Sequence, residues 1–149
     1  MKHVVFLSLG SNLGDKNANL EEAILQIQER VGNVIKRSSI IETEPWGFIS
    51  PNSFLNMVIQ LETDYIPIDI LMITQEIEKS IGRSEKTQAS YQDRLIDIDI
   101  ILYDDLILKT EKLQLPHPLF HQRDFVLKPL CEIAPEYIHP VLKKKIKEF

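Results

Sequence analysis

The sequence is poor in the features that mark secreted, disulfide-bonded or membrane-spanning proteins. Cys131 is its one cysteine, so no intramolecular disulfide is possible, and a reducing compartment suits the chain best. No apolar run approaches the length that spans a membrane, and Val4–Leu9 is too short for the core of a signal peptide. These absences predict a cytoplasmic protein without membrane contacts.

Basic residues are outnumbered, with 17 Lys and Arg against 22 Asp and Glu and a formal net charge of -5. A protein that holds nucleic acid by its phosphates needs a basic face, so we expect no nucleic-acid partner. The one basic cluster lies near the C-terminus, where we predict a solvated helix that carries Lys143, Lys144, Lys145 and Lys147.

The rest of the composition is that of an ordinary globular domain, with 44% hydrophobic and 26% charged residues. A chain of 149 residues can bury a core without disulfides or a structural metal. We expect a single domain over residues 1–149. Because no exposed heptad or second domain calls for a partner, we also expect a monomer.

Hydrophobic periodicity predicts the order of strands and helices. Residues 3–9 form a buried strand, and GSNLGD (10–15) then breaks the chain, either as a tight turn or as an anion-binding corner at a helix N-terminus. The remaining elements are a helix from Leu20 to Val31, an extended segment over 34–43, a strand over 53–63, a helix from Pro67 to Ile81, and a strand over 94–102. The order β-α-β-β-α-β predicts an α+β, ferredoxin-like antiparallel sheet, with helices on both faces once the C-terminal segments cover the second face.

Two aspartates interrupt the last of these strands, within DRLIDIDIILYDD (93–105). Residues two apart in a strand point the same way, so Asp97 and Asp99 share one face. The opposite face is wholly apolar, with Ile96, Ile98, Ile100 and Leu102. Two carboxylates in a partly closed cleft need counter-charge, and Mg²⁺ suits them. An acidic face in solvent, or a pair satisfied by arginines, explains the same pattern.

Other polar and aromatic residues point to a nucleotide and a flat ring. Cations beside a D-x-D strand suggest a polyphosphate, although each arginine taken alone is more often a surface residue. These cations are Arg83, Arg94, His117 and Arg123. Phe54 and Asn56 suit a flat heterocycle, or else a core aromatic beside an exposed amide. No second His or Cys stands at zinc-ligand spacing, so we expect no zinc site.

Six segments, taken in order, resemble the 6-hydroxymethyl-7,8-dihydropterin pyrophosphokinase family of folate biosynthesis. They are SLGSNLGD, TEPWG, FLN, EIEKSIGR, RLIDIDIIL and LPHPLFHQRDFVLKPLCEIAP, and they span nearly the whole chain. The resemblance implies an enzyme that transfers pyrophosphate from ATP to the hydroxymethyl oxygen of the pterin and releases AMP. It also implies two Mg²⁺ ions, held by Asp97 and Asp99, and small molecules as the partners.

The resemblance further implies roles for individual residues. Charge on the transferring group is stabilised by the catalytic Arg83 and Arg94. The nucleotide is bound by these two arginines with Gln75, Glu78, Lys86, Lys112, His117 and Arg123. The pterin lies between Phe54 and Phe125, with Asn56 at its edge and with Thr43, Pro45, Trp46 and Tyr91 around it.

The segment 84–93 departs from the family pattern. The family has a second arginine soon after Gly-Arg, where Glu85 stands here, and an aromatic-Gly-Pro-Arg run, where Tyr91, Gln92 and Asp93 precede Arg94. We expect Lys86 to supply the missing cation and Tyr91 the aromatic lid.

Overall fold

The computed structural model describes residues 2–44, 52–82 and 95–149. Within these ranges the chain forms a sheet, a small hairpin, three α-helices and short 3-10 turns. The strands are β1 (His3–Ser11), β2 (Asn33–Arg37), β3 (Ile41–Thr43), β4 (Phe54–Thr63), β5 (Asp97–Tyr103), β6 (Leu108–Lys109) and β7 (Gln114–Leu115). The helices are α1 (Lys16–Arg30), α2 (Pro67–Ile81) and α3 (Asp124–Ile133), with 3-10 turns at Phe120–Gln122 and Ile146–Glu148.

The main sheet is antiparallel, as predicted. Its strand order is β2-β4-β1-β5, and β3 also pairs with β4. β1 pairs with β4 and with β5, and β4 also pairs with β2 and with β3. All four pairings are antiparallel. The described chain is therefore an α+β structure in which β5 is an edge strand.

Helices cover both faces of this sheet, which confirms the predicted layering. One face packs against α1 and α2 through a core that includes Leu20, Ile27, Ile70 and Ile77. The other face packs against α3 through Phe6, Val58, Val126 and Leu130. We call these the α1/α2 face and the α3 face. Along β4, Met57 and Ile59 pack on the α1/α2 face and Val58 packs on the α3 face, as the alternation in the sequence predicted.

Local signals set the helix ends. Asp15 caps α1 by accepting the Ala18 N–H at 3.1 Å. Pro67 opens α2 and Gly82, with a φ of 135°, follows its last residue, in agreement with the predicted bounds. Gly14 has a φ of 67° in the turn before α1. Gly10, by contrast, lies inside β1, which continues to Ser11 and so ends later than predicted.

The predicted alternation of β5 is wrong at Leu102, because the strand contains a bulge. Leu7 pairs with Ile100 but Phe6 pairs with Leu102, so Ile101 is an extra residue on the β5 side. As a result Ile101 and Leu102 both pack on the α3 face. Ile98 and Ile100 remain on the α1/α2 face, as predicted.

The extended segment 34–43 is interrupted. β2 ends at Arg37 and β3 begins at Ile41. Between them Ser38 bonds to β4 by a mixed pair: its N–H donates to the Val58 carbonyl and its Oγ accepts the Val58 N–H, each at 2.9 Å. At this position the Val58 N–H bonds to a side-chain hydroxyl instead of a backbone carbonyl. The backbone pairing is therefore interrupted, and β2 and β3 are separate strands.

The C-terminal lysines do not form the predicted helix. Lys145 forms an isolated β-bridge with Ile138, and a single 3-10 turn follows at Ile146–Glu148. Glu136 accepts ion pairs from Lys145 at 2.9 Å and from Lys147 at 2.6 Å. The tail is held down by Ile146, which is 1% exposed in the α3-face core.

Candidate active site

A row of paired residues across the sheet links the acidic strand to the aromatic one. Gly10 of β1 pairs with Asp97 of β5 on one side and with Asn56 of β4 on the other. Paired residues in an antiparallel sheet point to the same face, so Asp97 and Asn56 project on the α3 face about 10 Å apart. The glycine between them puts no side chain into that interval.

The β4 end of the row is preorganised by hydrogen bonds. Asn56 is 4% exposed, and its Nδ2 donates to the Oγ1 of Thr43 at 2.7 Å. Thr43 pairs with Phe54, which places the half-buried Phe54 ring beside this amide. A Cβ built on Gly10 would lie 3.0 Å from the Asn56 Oδ1 and 3.4 Å from the Phe54 Cδ1. The amide and the ring therefore depend on glycine at this position.

The β5 end of the row carries the two aspartates. Asp97 and Asp99 are both half-buried and alternate with Ile98 and Ile100, whose side chains lie in the α1/α2-face core. The bulge lies between Ile100 and Leu102, beyond both aspartates. The prediction that the two carboxylates share a face is therefore confirmed.

A third group approaches from the segment between β7 and α3. The N–H of His117 donates to the Ile101 carbonyl at 2.9 Å, which ties this segment to β5. Arg123 is 8% exposed immediately before α3, and its guanidinium lies 5.8 Å from the centre of the Phe125 ring. His117, Arg123 and Phe125 thus lie together on the α3 face, as a set that the sequence could not show to converge.

The environment of His117 keeps its imidazole neutral. Burial, together with the nearby positive charge of Arg123, lowers the pKa of His117 to about 4. Its Nδ1 accepts the Leu119 N–H at 3.4 Å, so Nε2 is the nitrogen that carries the proton. At neutral pH the ring therefore offers one neutral N–H donor.

The predicted nucleotide residues on α2 and the hairpin lie in different environments. Gln75 is exposed on α2, whereas Glu78 is 2% exposed and accepts the backbone N–H of Ile98 at 2.8 Å. Lys112 is exposed beside an apolar groove of about 520 Å³ lined by Ile66, Pro67, Ile68, Leu108, Thr110, Glu111 and Leu113. The other predicted site residues, Pro45, Trp46, Arg83, Lys86, Tyr91 and Arg94, lie outside the described residues.

Sequence reasoning missed two contributions to this region. It explained Gly10 as part of a turn, although a glycine within a strand signals a close approach of other atoms. It gave no role to the Thr43 hydroxyl, which accepts a hydrogen bond from the Asn56 Nδ2. The pairing of β3 with β4 that joins Thr43 to Asn56 is not visible in either segment alone.

Two negative findings apply to residues 2–44, 52–82 and 95–149. No helix in these ranges is long and apolar enough to cross a membrane. No group of three or more His, Cys, Asp or Glu in the same ranges forms a metal cluster.

Comparison with known proteins identifies the family. Residues 6–135 match the family model described as 7,8-dihydro-6-hydroxymethylpterin-pyrophosphokinase (HPPK). A 2-amino-4-hydroxy-6-hydroxymethyldihydropteridine pyrophosphokinase of Porphyromonas gingivalis is 49% identical over 139 residues, which cover 92% of this chain and 94% of the relative. The protein of the same name from Aquifex aeolicus is 40% identical over 145 residues, covering 97% of this chain and 89% of the relative.

A solved structure shares the fold. The crystal structure of a Plasmodium falciparum HPPK-DHPS triple mutant matches with a TM-score of 0.78 and 18% sequence identity, covering 99% of this chain. This chain spans 43% of that longer chain. At such low identity the match supports the architecture alone. The family match and the curated relatives carry the assignment further: the chain belongs to the 7,8-dihydro-6-hydroxymethylpterin-pyrophosphokinase family of folate biosynthesis.

Proposed function

We propose that this chain transfers the pyrophosphoryl group of ATP to the hydroxymethyl oxygen of 6-hydroxymethyl-7,8-dihydropterin. A bond forms between that oxygen and the β-phosphorus of ATP, the bond from the β-phosphorus to the oxygen of the α-phosphate breaks, and AMP leaves. The hydroxyl proton is released. The observation that supports the proposal is the Asp97–Gly10–Asn56 row, which puts a carboxylate and a buried amide on one sheet face, on either side of a strand position without a side chain.

The pterin would bind at the β4 end of the row. Asn56, held by Thr43, offers a buried amide to the polar edge of the ring, and Phe54 offers an aromatic face. Phe125, in the first turn of α3, would supply the second face. A pocket of this kind selects well, because an analogue that lacks the matching polar groups would leave Asn56 unsatisfied. Pro45, Trp46 and Tyr91 remain predicted parts of the same pocket.

The triphosphate would bind at the β5 end. Two half-buried carboxylates fit Mg²⁺, which prefers oxygen ligands and keeps water and phosphate oxygens in its coordination shell. When bound, the metal would neutralise charge on the phosphates; we propose two ions, held by Asp97 and Asp99. His117 would donate its Nε2–H to a phosphate oxygen, and Arg123 would contribute positive charge from a buried position.

The remaining nucleotide contacts are assigned by the family resemblance. Gln75 and Lys112 are exposed, on α2 and on the β6–β7 hairpin, and would contact the adenosine part. Arg83, Arg94 and Lys86 would add positive charge near the transferring group. No strong general base is required, because phosphoryl transfer proceeds through a loose transition state and relies on positioning and charge.

The finer points of fold and assembly belong to the same proposal. If β2 and β3 are one strand interrupted at Ser38, the sheet order β2-β4-β1-β5 corresponds to the ferredoxin-like arrangement. We further propose that the chain acts as a single domain and as a monomer. Light scattering coupled to size-exclusion chromatography would test this, with a mass near 17.3 kDa expected.

The proposed function is tested by incubating the protein with Mg²⁺, ATP and 6-hydroxymethyl-7,8-dihydropterin and measuring AMP. We expect AMP to form only when the pterin is present, in equal amounts with the pterin diphosphate. AMP or ADP released without pterin would instead indicate a phosphohydrolase, and the absence of any product would indicate a binding module. Either result would contradict the proposal.

A further inference from the structure

Glu78 occupies a position unlike that of an ordinary ligand-binding carboxylate. It lies on α2 with 2% of its surface exposed, whereas its helix neighbour Gln75 is exposed. Its Oε2 accepts the backbone N–H of Ile98 at 2.8 Å. Ile98 is the residue between Asp97 and Asp99. The carboxylate therefore acts on the backbone that separates the two aspartates.

This contact matters because β5 is the edge strand of the described sheet. β1 binds it on one side, and among residues 2–44, 52–82 and 95–149 no strand pairs with the N–H groups that point the other way. A backbone N–H removed from water needs an acceptor, and Glu78 supplies one for Ile98. The Ile98 side chain is meanwhile 6% exposed in the α1/α2-face core. Ile98 is thus held through its side chain and through its amide.

The directions of Asp97 and Asp99 depend on this residue. Their side chains leave the strand on the opposite face from Ile98, and a rotation of the backbone at Ile98 would turn one carboxylate relative to the other. A displacement of about 1 Å in a positioned group can cost about 100-fold in rate. Fixing the Ile98 amide therefore fixes the spacing and direction of the two carboxylates.

We propose that Glu78 is a positioning residue: by clamping the Ile98 amide it holds Asp97 and Asp99 in the geometry that binds the metal–triphosphate complex. The inference rests on the proposed function for what the aspartates bind. It assigns Glu78 differently from the adenosine contact implied by the family resemblance. A side chain this deeply buried, with an oxygen committed to the backbone, acts on the strand and not on the base or ribose.

Three variants separate the roles. Glu78→Gln keeps an acceptor oxygen of the same reach but removes the charge, and Glu78→Leu removes both. The matched control is Glu76→Leu, the same substitution on the same helix, because the Glu76 side chain is 59% exposed and pairs with Arg30 at the surface. Glu78→Met, which is closer in length to glutamate, replaces Glu78→Leu if the leucine variant does not fold.

The first measurement is hydrogen exchange of the Ile98 amide in the ligand-free protein, followed by NMR. We expect slow exchange in the wild type, in Glu78→Gln and in the control. In Glu78→Leu or Glu78→Met we expect exchange at least about tenfold faster, because the amide has lost its acceptor. Unchanged exchange in the leucine and methionine variants would overturn the proposed clamp.

The second measurement is Mn²⁺ binding, by electron paramagnetic resonance, in the presence of a non-hydrolysable ATP analogue. Loss of the clamp should weaken Mn²⁺ affinity about 10- to 100-fold, the range seen when residues that orient metal ligands are removed, while Glu78→Gln should retain it within about threefold. If Glu78→Gln weakened Mn²⁺ and analogue binding as much as Glu78→Leu, the charge would be the active feature and the positioning role would be wrong.

These outcomes stand apart from failure of the proposed function. Should the wild type make no pterin-dependent AMP while exchange and Mn²⁺ binding respond as expected, the pyrophosphokinase assignment fails and the clamp stands. Should the wild type make AMP while both responses are absent, only the clamp fails.

Discussion

At the scale of single residues, the fold holds the His117 imidazole in its neutral form. Burial and the charge of Arg123 lower its pKa to about 4, and the Leu119 N–H occupies Nδ1. The ring would therefore meet a phosphate as a neutral Nε2–H donor. Its direction would be set before the ligand arrives, and the positive charge would come from Arg123.

The same shift predicts a pH dependence of stability. Because the native pKa of His117 lies below the unfolded value of about 6.5, the unfolded state binds more protons between pH 6.5 and 4. Its contribution to stability is fully present above about pH 6.5 and is lost as the pH falls toward 4. Urea unfolding of the wild type and His117→Gln across this window should show a steeper loss in the wild type.

His139 acts in the same direction in both proteins, since burial and the neighbouring His121 lower the pKa of its imidazole as well. The difference between the two proteins therefore isolates His117. Equal slopes for the wild type and His117→Gln would contradict the buried, neutral state described for this residue.

Two glycines make a matched pair for separating binding from stability. A Cβ at Gly10 would press on the side chains of Asn56 and Phe54, so Gly10→Ala should cost about 1 kcal/mol of stability and weaken pterin binding about tenfold. A Cβ at Gly32 would lie 2.1 Å from the Glu62 backbone oxygen, so Gly32→Ala should lose more stability through a backbone clash. Calorimetric titration with the pterin and thermal unfolding measure the two effects. Unchanged pterin affinity in Gly10→Ala would show that the row does not form the pterin site.

At the scale of elements, predictions held where a local signal decides the structure. α2 runs from Pro67 to Ile81 as predicted, because a proline suits the first turn and a glycine suits the position after the last. The two faces of β4 were also predicted correctly, because the alternation of side chains along a strand is a local pattern as well. The bulge at Ile101 was missed because it exists only in the pairing with β1, and nothing in the β5 sequence marks an extra residue.

The break between β2 and β3 was missed for a related reason, since its partners are remote in sequence. The Ser38 hydroxyl bonds to Val58, and the N–H of Ser39 donates to both carboxylate oxygens of Glu132 in α3, at 3.1 and 3.0 Å. Residues 34–43 read alone give no sign of either partner. The convergence of His117, Arg123 and Phe125 is of the same kind.

This break yields a prediction about stability. Ser38→Ala removes the acceptor for the buried Val58 N–H and should cost about 1–3 kcal/mol in the free energy of unfolding. Ser39→Ala, the matched control at an exposed neighbour, removes a solvent-exposed hydroxyl bond to Glu132 at 2.9 Å and leaves the backbone bonds to the same carboxylate, so it should change stability by no more than about 0.5 kcal/mol. Urea denaturation measures both. Equal losses would argue against the hydroxyl as part of the ladder.

At the scale of the whole molecule, the two faces of the sheet have different tasks. Both faces carry an apolar core, but the α3 face also carries Asp97 and Asn56, each of which pairs with Gly10 of β1. Further polar residues on the α3 face, His117 and Arg123, come from the segment that precedes α3. This segment is tied to β5 by the hydrogen bond from the His117 N–H to the Ile101 carbonyl. The sheet thereby sets the distance between the end proposed to bind phosphates and the end proposed to bind the pterin ring.

The central claim is that these two ends are separate, and Asp97→Asn tests it most directly. The variant removes one charge from the β5 end and leaves the β4 end two strands away. Pterin-dependent AMP formation should fall about 100- to 1000-fold, as when a positioned charge stabiliser is lost. Pterin binding, measured by fluorescence, should change by no more than about threefold. Near-normal turnover in Asp97→Asn, or pterin binding lost together with turnover, would contradict the division of the site.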